Sequence, residues 1–434
     1  MSFRTKFILI LLSATLTLYT VVGGWMSTRA QQPANDPNAQ LRIFESVLQH
    51  IQQDYVDEPN MDKVRAGALR GLAYGLDPYS TYLTPEQVRE FNAGKSESQA
   101  GIGAELSQVA SYLYVIAPMK GSPADQAGIN AGDIIEYIDN KATRDISLYD
   151  AKQLLNGPAG SEVKLRVLRA NSSPLTITVK RGTSRAPAAE ARMEAGKVGV
   201  LRINSFADGE SVEIRNRLQD LVTKQGAQKI VIDLRDTAGG SLAEAVAVAN
   251  MFIKDGLLAQ TVGREGKSLK TYTADPRLAL FSGPVVALID TGTAGAAEVV
   301  ASALIERSRG QLVGEKSFGA GTEQQLFTLR GGDGLLLTTV KWATAGGKTF
   351  LGEDRAHSGV APSVEVKGQE IAEAVDPEDL TGNDDDPIAK PESGTEKPAA
   401  TTPGPAPAVK PVTEDLQLKK ALELLKDKPA QRAA

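Results

Sequence analysis

The chain predicts an α/β fold: a sheet-and-helix core, an N-terminal helical region and a β-rich module inserted between them. Three observations carry this. Across residues 197–366 short apolar strands alternate with helical stretches, the pattern of a sheet covered by helices. Near the start, Leu41, Phe44, Val47, Leu48, Ile51 and Tyr55 recur at three- and four-residue steps, the period of an amphipathic helix. Between these regions, residues 100–181 read as short β-runs around two helical pieces. With 434 residues and 41% hydrophobic content, the chain can bury a substantial core.

In chain order, the first element is the apolar run 7–26, preceded by Arg4 and Lys6. About 20 residues at 1.5 Å each cover roughly 30 Å of hydrocarbon, so residues 1–30 read as a signal peptide or a membrane anchor. The Thr28-Arg29-Ala30 end suits cleavage, while the length suits an anchor. In either case the remainder is expected to be exported, periplasmic or anchored facing the cell envelope, because the positive residues stay on the cytoplasmic side. Without Cys there is neither a disulfide nor a lipid-modified N-terminal cysteine. A net charge of −5 with no basic block argues against nucleic acid as a partner. No cofactor and no metal site are expected.

The N-terminal helical region spans 39–96, with a second helix over 61–74. Gly75-Leu76-Asp77-Pro78 breaks it, and Thr84-Pro85-Glu86-Gln87 starts a third helix, Thr capping, Pro at the first position and Gln completing a capping box. The inserted module, 97–182, carries β-runs at 112–117, 134–138, 162–168 and 175–180, with helical pieces near 123–127 and 148–156. The core, 188–367, reads as strand 198–205, helix 211–224, strand 230–234, helix 242–253, strand 285–290, helix 295–307 and strands 311–314 and 335–341. Residues 376–412 hold eight prolines and Asp384-Asp385-Asp386, too polar and Pro-rich to fold alone. A last helix, within 413–427, carries Leu416, Leu418, Leu422 and Leu425 and is expected to dock on something.

The segments Thr293-Ala294-Gly295-Ala296-Ala297-Glu298 and Phe318-Gly319-Ala320-Gly321-Thr322-Glu323-Gln324 resemble two motifs of the carboxyl-terminal processing, or tail-specific, proteases, which cut with a Ser–Lys dyad. In that family the nucleophile sits in S-A-S-A-S-E at a strand-to-helix turn, and the base sits in F-G-K-G-T-x-Q. Alignment puts Gly295 at the nucleophile and Ala320 at the base, with 320 − 295 = 25 positions between them as the family pattern requires. Gln324 matches the family glutamine that steadies the dyad; on its own it reads as an exposed loop amide. Arg235-Asp236-Thr237-Ala238-Gly239-Gly240-Ser241-Leu242 is similar to D-L-R-x-N-P-G-G-x-L. The resemblance makes the backbone N–H groups of Gly239, Gly240 and Ala296 carriers of an oxyanion site, which needs no side chain. The same glycines equally permit a sharp strand–helix turn, and both readings stand at this point.

The string G-L-D-P-Y-S-T-Y-L at 75–83 also resembles the family's L-D-P-H-S segment, with Tyr79 in place of His. G-I-G-A-E-L at 101–106, G-S-P-A-D-Q-A-G-I-N-A-G-D-I-I at 121–135 and V-K-L-R-V at 163–167 are similar to a protease-associated PDZ domain. That resemblance makes Gly101, Ile102, Gly103 and Ala104 the loop that receives a peptide's terminal carboxylate, Ile102 offering an apolar wall.

No other residue replaces the dyad. Ser302 lies seven residues, about 10 Å, past Gly295 along the predicted helix. Lys316 lies four residues, about 13 Å, before Ala320 if that segment is extended. A nucleophile and its base must be within roughly 2.6–3.2 Å. Thr291 and Thr293 are nearer but lack a buried neutral Lys. His50 is helical, and His357 reads as a loop residue in a segment resembling G-I-x-P-D, with Ser363 for Asp. Losing such a nucleophile costs on the order of 10⁶ in turnover. The expectation is a pseudoprotease that binds C-terminal peptides of exported proteins, as a homodimer or a mixed dimer with an active protease paralogue, through the N-terminal region and the last helix. The alternative is an active serine-type endopeptidase with a relocated dyad.

Overall fold

The computed structural model describes residues 13, 15, 17, 37–94, 100–144, 146–170, 172–368 and 414–426. Apart from residues 13, 15 and 17, the apolar run 7–26 lies outside them, as does the Pro-rich stretch 376–412. Among the described residues no helix is long and apolar enough to cross a membrane. The chain divides into two compact units, residues 1–68 and 69–434.

In the first unit, helix Pro37–Asp54 carries the periodic apolar stripe expected of it, yet Leu41, Ile43, Phe44, Val47 and Leu48 are all exposed. The next helix, Met61–Tyr74, starts where Asn60 Oδ1 accepts the Lys63 N–H at 3.0 Å.

The second unit is built on a six-stranded sheet in the order Val364–Glu365, Gly310–Gly314, Val285–Ile289, Lys229–Asp233, Val198–Arg202, Glu190–Glu194. All neighbours are parallel except the last pair. A parallel sheet is covered on both faces, so its strands read as continuous apolar runs, and Val285–Ile289 is buried throughout. Helices Glu210–Gln219, Leu242–Phe252 and Ala296–Glu306 contribute to the large core cluster that includes Ile230, Ile232, Val285 and Ile289 on one face. The helix expected over 211–224 closes in a wider turn, Asp220–Lys224, with Gln225 N donating to Asp220 O.

The opposite face presents Val198, Val200, Val231, Val286, Leu288 and Val313, and the helix Leu416–Lys426 covers it with Ala421 and Leu425, both fully buried. Asp415 and Gln417 accept from Arg235 at its start, and Lys229 Nζ donates to the Leu425 carbonyl at its end. The expectation that this helix docks holds, but its apolar face is spent on its own chain.

A second sheet runs Thr81–Leu83, Gly334–Thr344, Leu257–Val262, Ser268–Thr273, with Thr322–Thr328 pairing Gly334–Thr344. Most of its strands escape the sequence reading because, like the almost wholly exposed Ser268–Thr273, they lack an apolar alternation. The third sheet, Ala104–Val109, Tyr112–Pro118, Ile134–Ile138, Glu162–Leu168, Leu175–Lys180, closes with helices Pro123–Gln126 and Leu148–Leu155 over its own core. Helix Pro85–Asn92 begins with the expected capping box: Gln87 N donates to Thr84 Oγ1 at 3.3 Å and Thr84 N to Gln87 Oε1 at 2.9 Å.

Candidate functional site

Strand Val285–Ile289 runs into a turn that Asp290 and Thr293 build. Asp290 Oδ1 accepts the Gly292 N–H at 3.0 Å, and Thr293 Oγ1 accepts the Asp290 N–H at 2.9 Å while its single proton is shared between Asp290 Oδ1 and Leu234 O, each 3.0 Å away. Burial, helped by the charge of Asp236, pushes the Asp290 carboxyl up. The fully buried Thr293 hydroxyl is therefore committed to holding the turn.

The turn delivers Gly295 at φ 62°, ψ −114°, one residue before helix Ala296–Glu306. This conformation is open to glycine and strained for a residue with a side chain, at a sharp strand-to-helix corner, the setting in which a nucleophile is presented. A Cβ built on Gly295 would stand 3.5–3.6 Å from the Gly239 backbone, ordinary contact. The corner has kept room for a side chain that it lacks.

Glu298, to which the sequence assigned no role beyond its place in the motif, is fully buried in the first turn of this helix. Its Oε2 accepts the N–H groups of Gly295 and Ala320, each at 2.8 Å. Its Oε1 accepts Gly319 N at 2.8 Å and Ser317 Oγ at 2.5 Å. One carboxylate thus binds both aligned dyad positions together. Burial raises its pKa to about 7 against the pull of these donors. A sequence signal existed: a lone acid in the Ala296–Leu304 run, whose other residues are apolar except Ser302, at the third helical position, where a capping-box Glu stands.

Ala320 is partly buried against an apolar cluster that includes Tyr114, Ile116 and Ile134 from the third sheet together with Ala294 and Phe318. The Tyr114 and Phe318 rings stack at 5.5 Å. Two of the weighed substitutes are engaged elsewhere: Ser302 is buried and donates to Val299 O at 3.2 Å, and Lys316 Nζ donates to the carbonyls of Arg355 and Ala356 at 3.1 and 2.6 Å.

The glycine loop after strand Lys229–Asp233 is anchored at Arg235. Its guanidinium bridges Asp233 and Asp415. Burial would raise the Asp233 carboxyl, but the hydrogen bonds from Arg235 and the charge of Arg202 outweigh it and hold the carboxyl low. Gly239 and Gly240 have φ of 76° and 88°. A Cβ on Gly240 would come within 2.6 Å of Phe206 Cβ, so close packing alone demands glycine there. The Ala296 N–H donates to Gly239 O at 3.3 Å, which corrects one expectation: of the three oxyanion donors, that of Ala296 is engaged. The N–H groups of Gly239 and Gly240 have no partner among the described residues.

Gln324 lies on strand Thr322–Thr328 rather than in a loop, donating to Thr322 Oγ1 at 2.7 Å and Thr338 Oγ1 at 3.2 Å. Thr338 continues the network to Asp77 and Ser80, so Gln324 is tied to the 75–80 turn and makes no hydrogen bond to Ala320. His357 is an exposed loop residue against Asp354 at 2.7 Å.

In the expected carboxylate loop, the Gly101 N–H donates to Gly182 O at 3.1 Å and Gly182 N returns a bond of 3.0 Å. Ile102 is 3% exposed within the domain's core. Both correct the sequence reading: Gly101 has spent its donor on a bridge, and Ile102 faces inward rather than forming an open wall. The N–H groups of Ile102 and Gly103 have no backbone partner among the described residues. Gly103, at φ 72°, must be glycine, since a Cβ there would lie 2.2 Å from Ser184 Oγ. Ala104 begins the edge strand.

The model of peptidase family S41 matches residues 197–366, and a PDZ domain model matches residues 114–169. Over 337 residues the chain is 32% identical to the carboxy-terminal processing protease CtpA of Bacillus subtilis (strain 168), covering 77% of this chain and 72% of that protein. It is 33% identical over 369 residues to a probable CtpA-like serine protease of Staphylococcus aureus (strain N315), covering 84% and 73% respectively. Its structure is similar to that of a photosystem II D1 C-terminal processing protease, with a TM-score of 0.62 and 27% identity, covering 75% of this chain and 86% of that one. The strand-to-helix turn, the glycine loop and the PDZ-bearing α/β architecture agree with these matches, and the chain belongs to the carboxyl-terminal processing proteases of peptidase family S41.

Proposed function

We propose that this chain is a proteolytically silent member of its family, exported to the cell envelope, that holds C-terminal peptides of other exported proteins in its PDZ domain. The carrying observation is the convergence of Gly295 and Ala320 on the Glu298 carboxylate. Where the family's nucleophile and base belong, the frame presents a hydrogen and a methyl group. The hydroxyls of Thr293, Ser302 and Ser317 nearby are all buried and hydrogen-bonded. The run 7–26 supports export, and the exposed stripe of helix Pro37–Asp54 supports a homodimer or a mixed dimer with an active paralogue.

A fluorophosphonate probe and an unfolded protein substrate test the silent reading. Neither labelling nor cleavage is expected. Robust cleavage that survives mutation at 295 and 320 would show an active site elsewhere. Comparing free-acid with amidated forms of one peptide tests the binding half: equal affinity for both would remove the carboxylate from recognition.

A further inference from the structure

Strand Ala104–Val109 is an edge of its sheet, paired among the described residues with Tyr112–Pro118 alone. Helix Leu148–Leu155 packs beside it: Lys152 Nζ stands 3.5 Å from Glu105 Oε1, and Gln108 Nε2 donates to Ile146 O just before the helix. An open strand edge next to a helix is where a peptide adds as a further strand.

Tyr79 already reaches this place. Its ring packs against the domain's apolar cluster, whose members include Leu106, Leu148, Ala151 and Leu155, and its hydroxyl lies 3.4 Å from Ser107 Oγ on the edge strand. Leu106 is part of that core, whereas Ser107, next along the strand, points the other way. A ring touching both the core and Ser107 therefore sits at the strand's edge. Burial pushes its phenol well above the usual range.

The ring is presented by a turn rooted outside the PDZ domain. Asp77 Oδ1 accepts the N–H groups of Tyr79 and Ser80 at 2.8 and 2.9 Å and the Thr338 hydroxyl at 3.0 Å. The following helix is tied to the groove helix by Gln87 Nε2 donating to Asp150 Oδ1 at 2.7 Å. Tyr79 is also where the chain departs from its family's L-D-P-H-S string, so the occupant is a property of this sequence.

We propose that Tyr79 is a built-in occupant of the PDZ groove and that the groove's ligand is a C-terminal peptide with an aromatic residue near its end, which binds by displacing Tyr79. This rests on the peptide-binding reading above. A site that holds a phenol against aliphatic side chains, with one hydroxyl at its tip, fits Phe or Tyr and penalises a charged residue that would lose its hydration. Because the groove must open first, apparent affinity is lowered by the fraction of chains with Tyr79 released.

The test uses the full chain and fluorescein-labelled free-acid peptides with one Phe moved through roughly the last four positions, the span the edge strand can pair, alongside an all-Ala control. One Phe peptide is expected to bind about tenfold more tightly than the control, and Tyr79→Ala to bind every peptide about tenfold more tightly than wild type. Nitration of Tyr79 by tetranitromethane, read by mass spectrometry, should be slow in the free chain and faster with saturating Phe peptide. That readout needs no substitution and stands if Tyr79→Ala misfolds. Unchanged affinity in a folded Tyr79→Ala chain, or nitration insensitive to peptide, would remove Tyr79 from the groove. Binding without preference for Phe would overturn the ligand class. No binding by either chain would bring down the peptide-binding reading itself.

Discussion

The Ala320 N–H donates to Glu298 Oε2 at 2.8 Å, and the same oxygen accepts the Gly295 N–H at the same distance. Two loops 25 residues apart are held in register by one buried carboxylate, independently of any catalytic side chain. The frame can therefore outlive the chemistry, because the staple that assembles it is not part of the dyad.

Glu298→Gln should be strongly destabilising. An amide nitrogen has no lone pair, so the two N–H groups facing it lose their acceptor in a dry site, at about 1–3 kcal/mol each. Urea unfolding should show a loss of about 2–5 kcal/mol. A loss under about 0.5 kcal/mol, the level of an ordinary surface change, would mean the staple is dispensable.

The same residue gives stability a pH dependence. Burial raises its folded pKa from an ordinary 4.5 to about 7. The folded state thus binds this proton more tightly, so the contribution is complete below pH 4.5 and is lost as pH rises through about 7. That is worth about 3 kcal/mol across the window. Asp290, also raised, acts with the same sign. Unfolding free energy measured between pH 4.5 and 8 should fall with pH in wild type and fall less in Glu298→Gln. Parallel profiles would show that Glu298 does not titrate in that window.

Gly295→Ser with Ala320→Lys should restore weak cleavage of an unfolded protein, each single change staying near background. A Cβ at 295 meets only ordinary contacts, at a backbone cost of about 1–3 kcal/mol for its positive φ. A Lys at 320 enters the apolar cluster of Tyr114 and Phe318, which favours the neutral amine a base must be but resists its insertion. The gain stays small because Ala296 must also release Gly239 O before its N–H can serve. Background activity in a correctly folded double variant would show that the pocket has closed.

Leu425→Ala should cost about 2–4 kcal/mol, since this fully buried side chain helps cover the valine face of the central sheet. Chemical denaturation of the full chain measures it. A neutral result would mean that the last helix is undocked in solution.

Under the proposed pairing through helix Pro37–Asp54, Val47→Glu with Phe44→Glu should lower the mass seen by light scattering from that of a dimer to that of a monomer, leaving the remaining helicity intact. Both residues are exposed on helix Pro37–Asp54, and an apolar stripe facing water gains by pairing with another. Unchanged mass would exclude this helix from assembly.

The sequence by itself determined the parts that local chemistry dictates. The capping box at Thr84, the glycine turns, the apolar strands Lys229–Asp233 and Val285–Ile289 and the helix that follows Gly295 were legible because spacing and residue type fix them within a few positions. The spacing of Gly295 and Ala320 likewise told which groups were absent. Tertiary structure alone decided what closes over them. That Glu298 staples both loops, that the Gly101 and Ala296 donors are already spent, that Gln324 sits on a strand and that the last helix covers its own sheet depend on contacts between residues far apart in the chain. Periodicity reports which face of an element is apolar, but only packing settles which other surface removes that face from water, and a backbone N–H carries no mark in the sequence of the acceptor it will find.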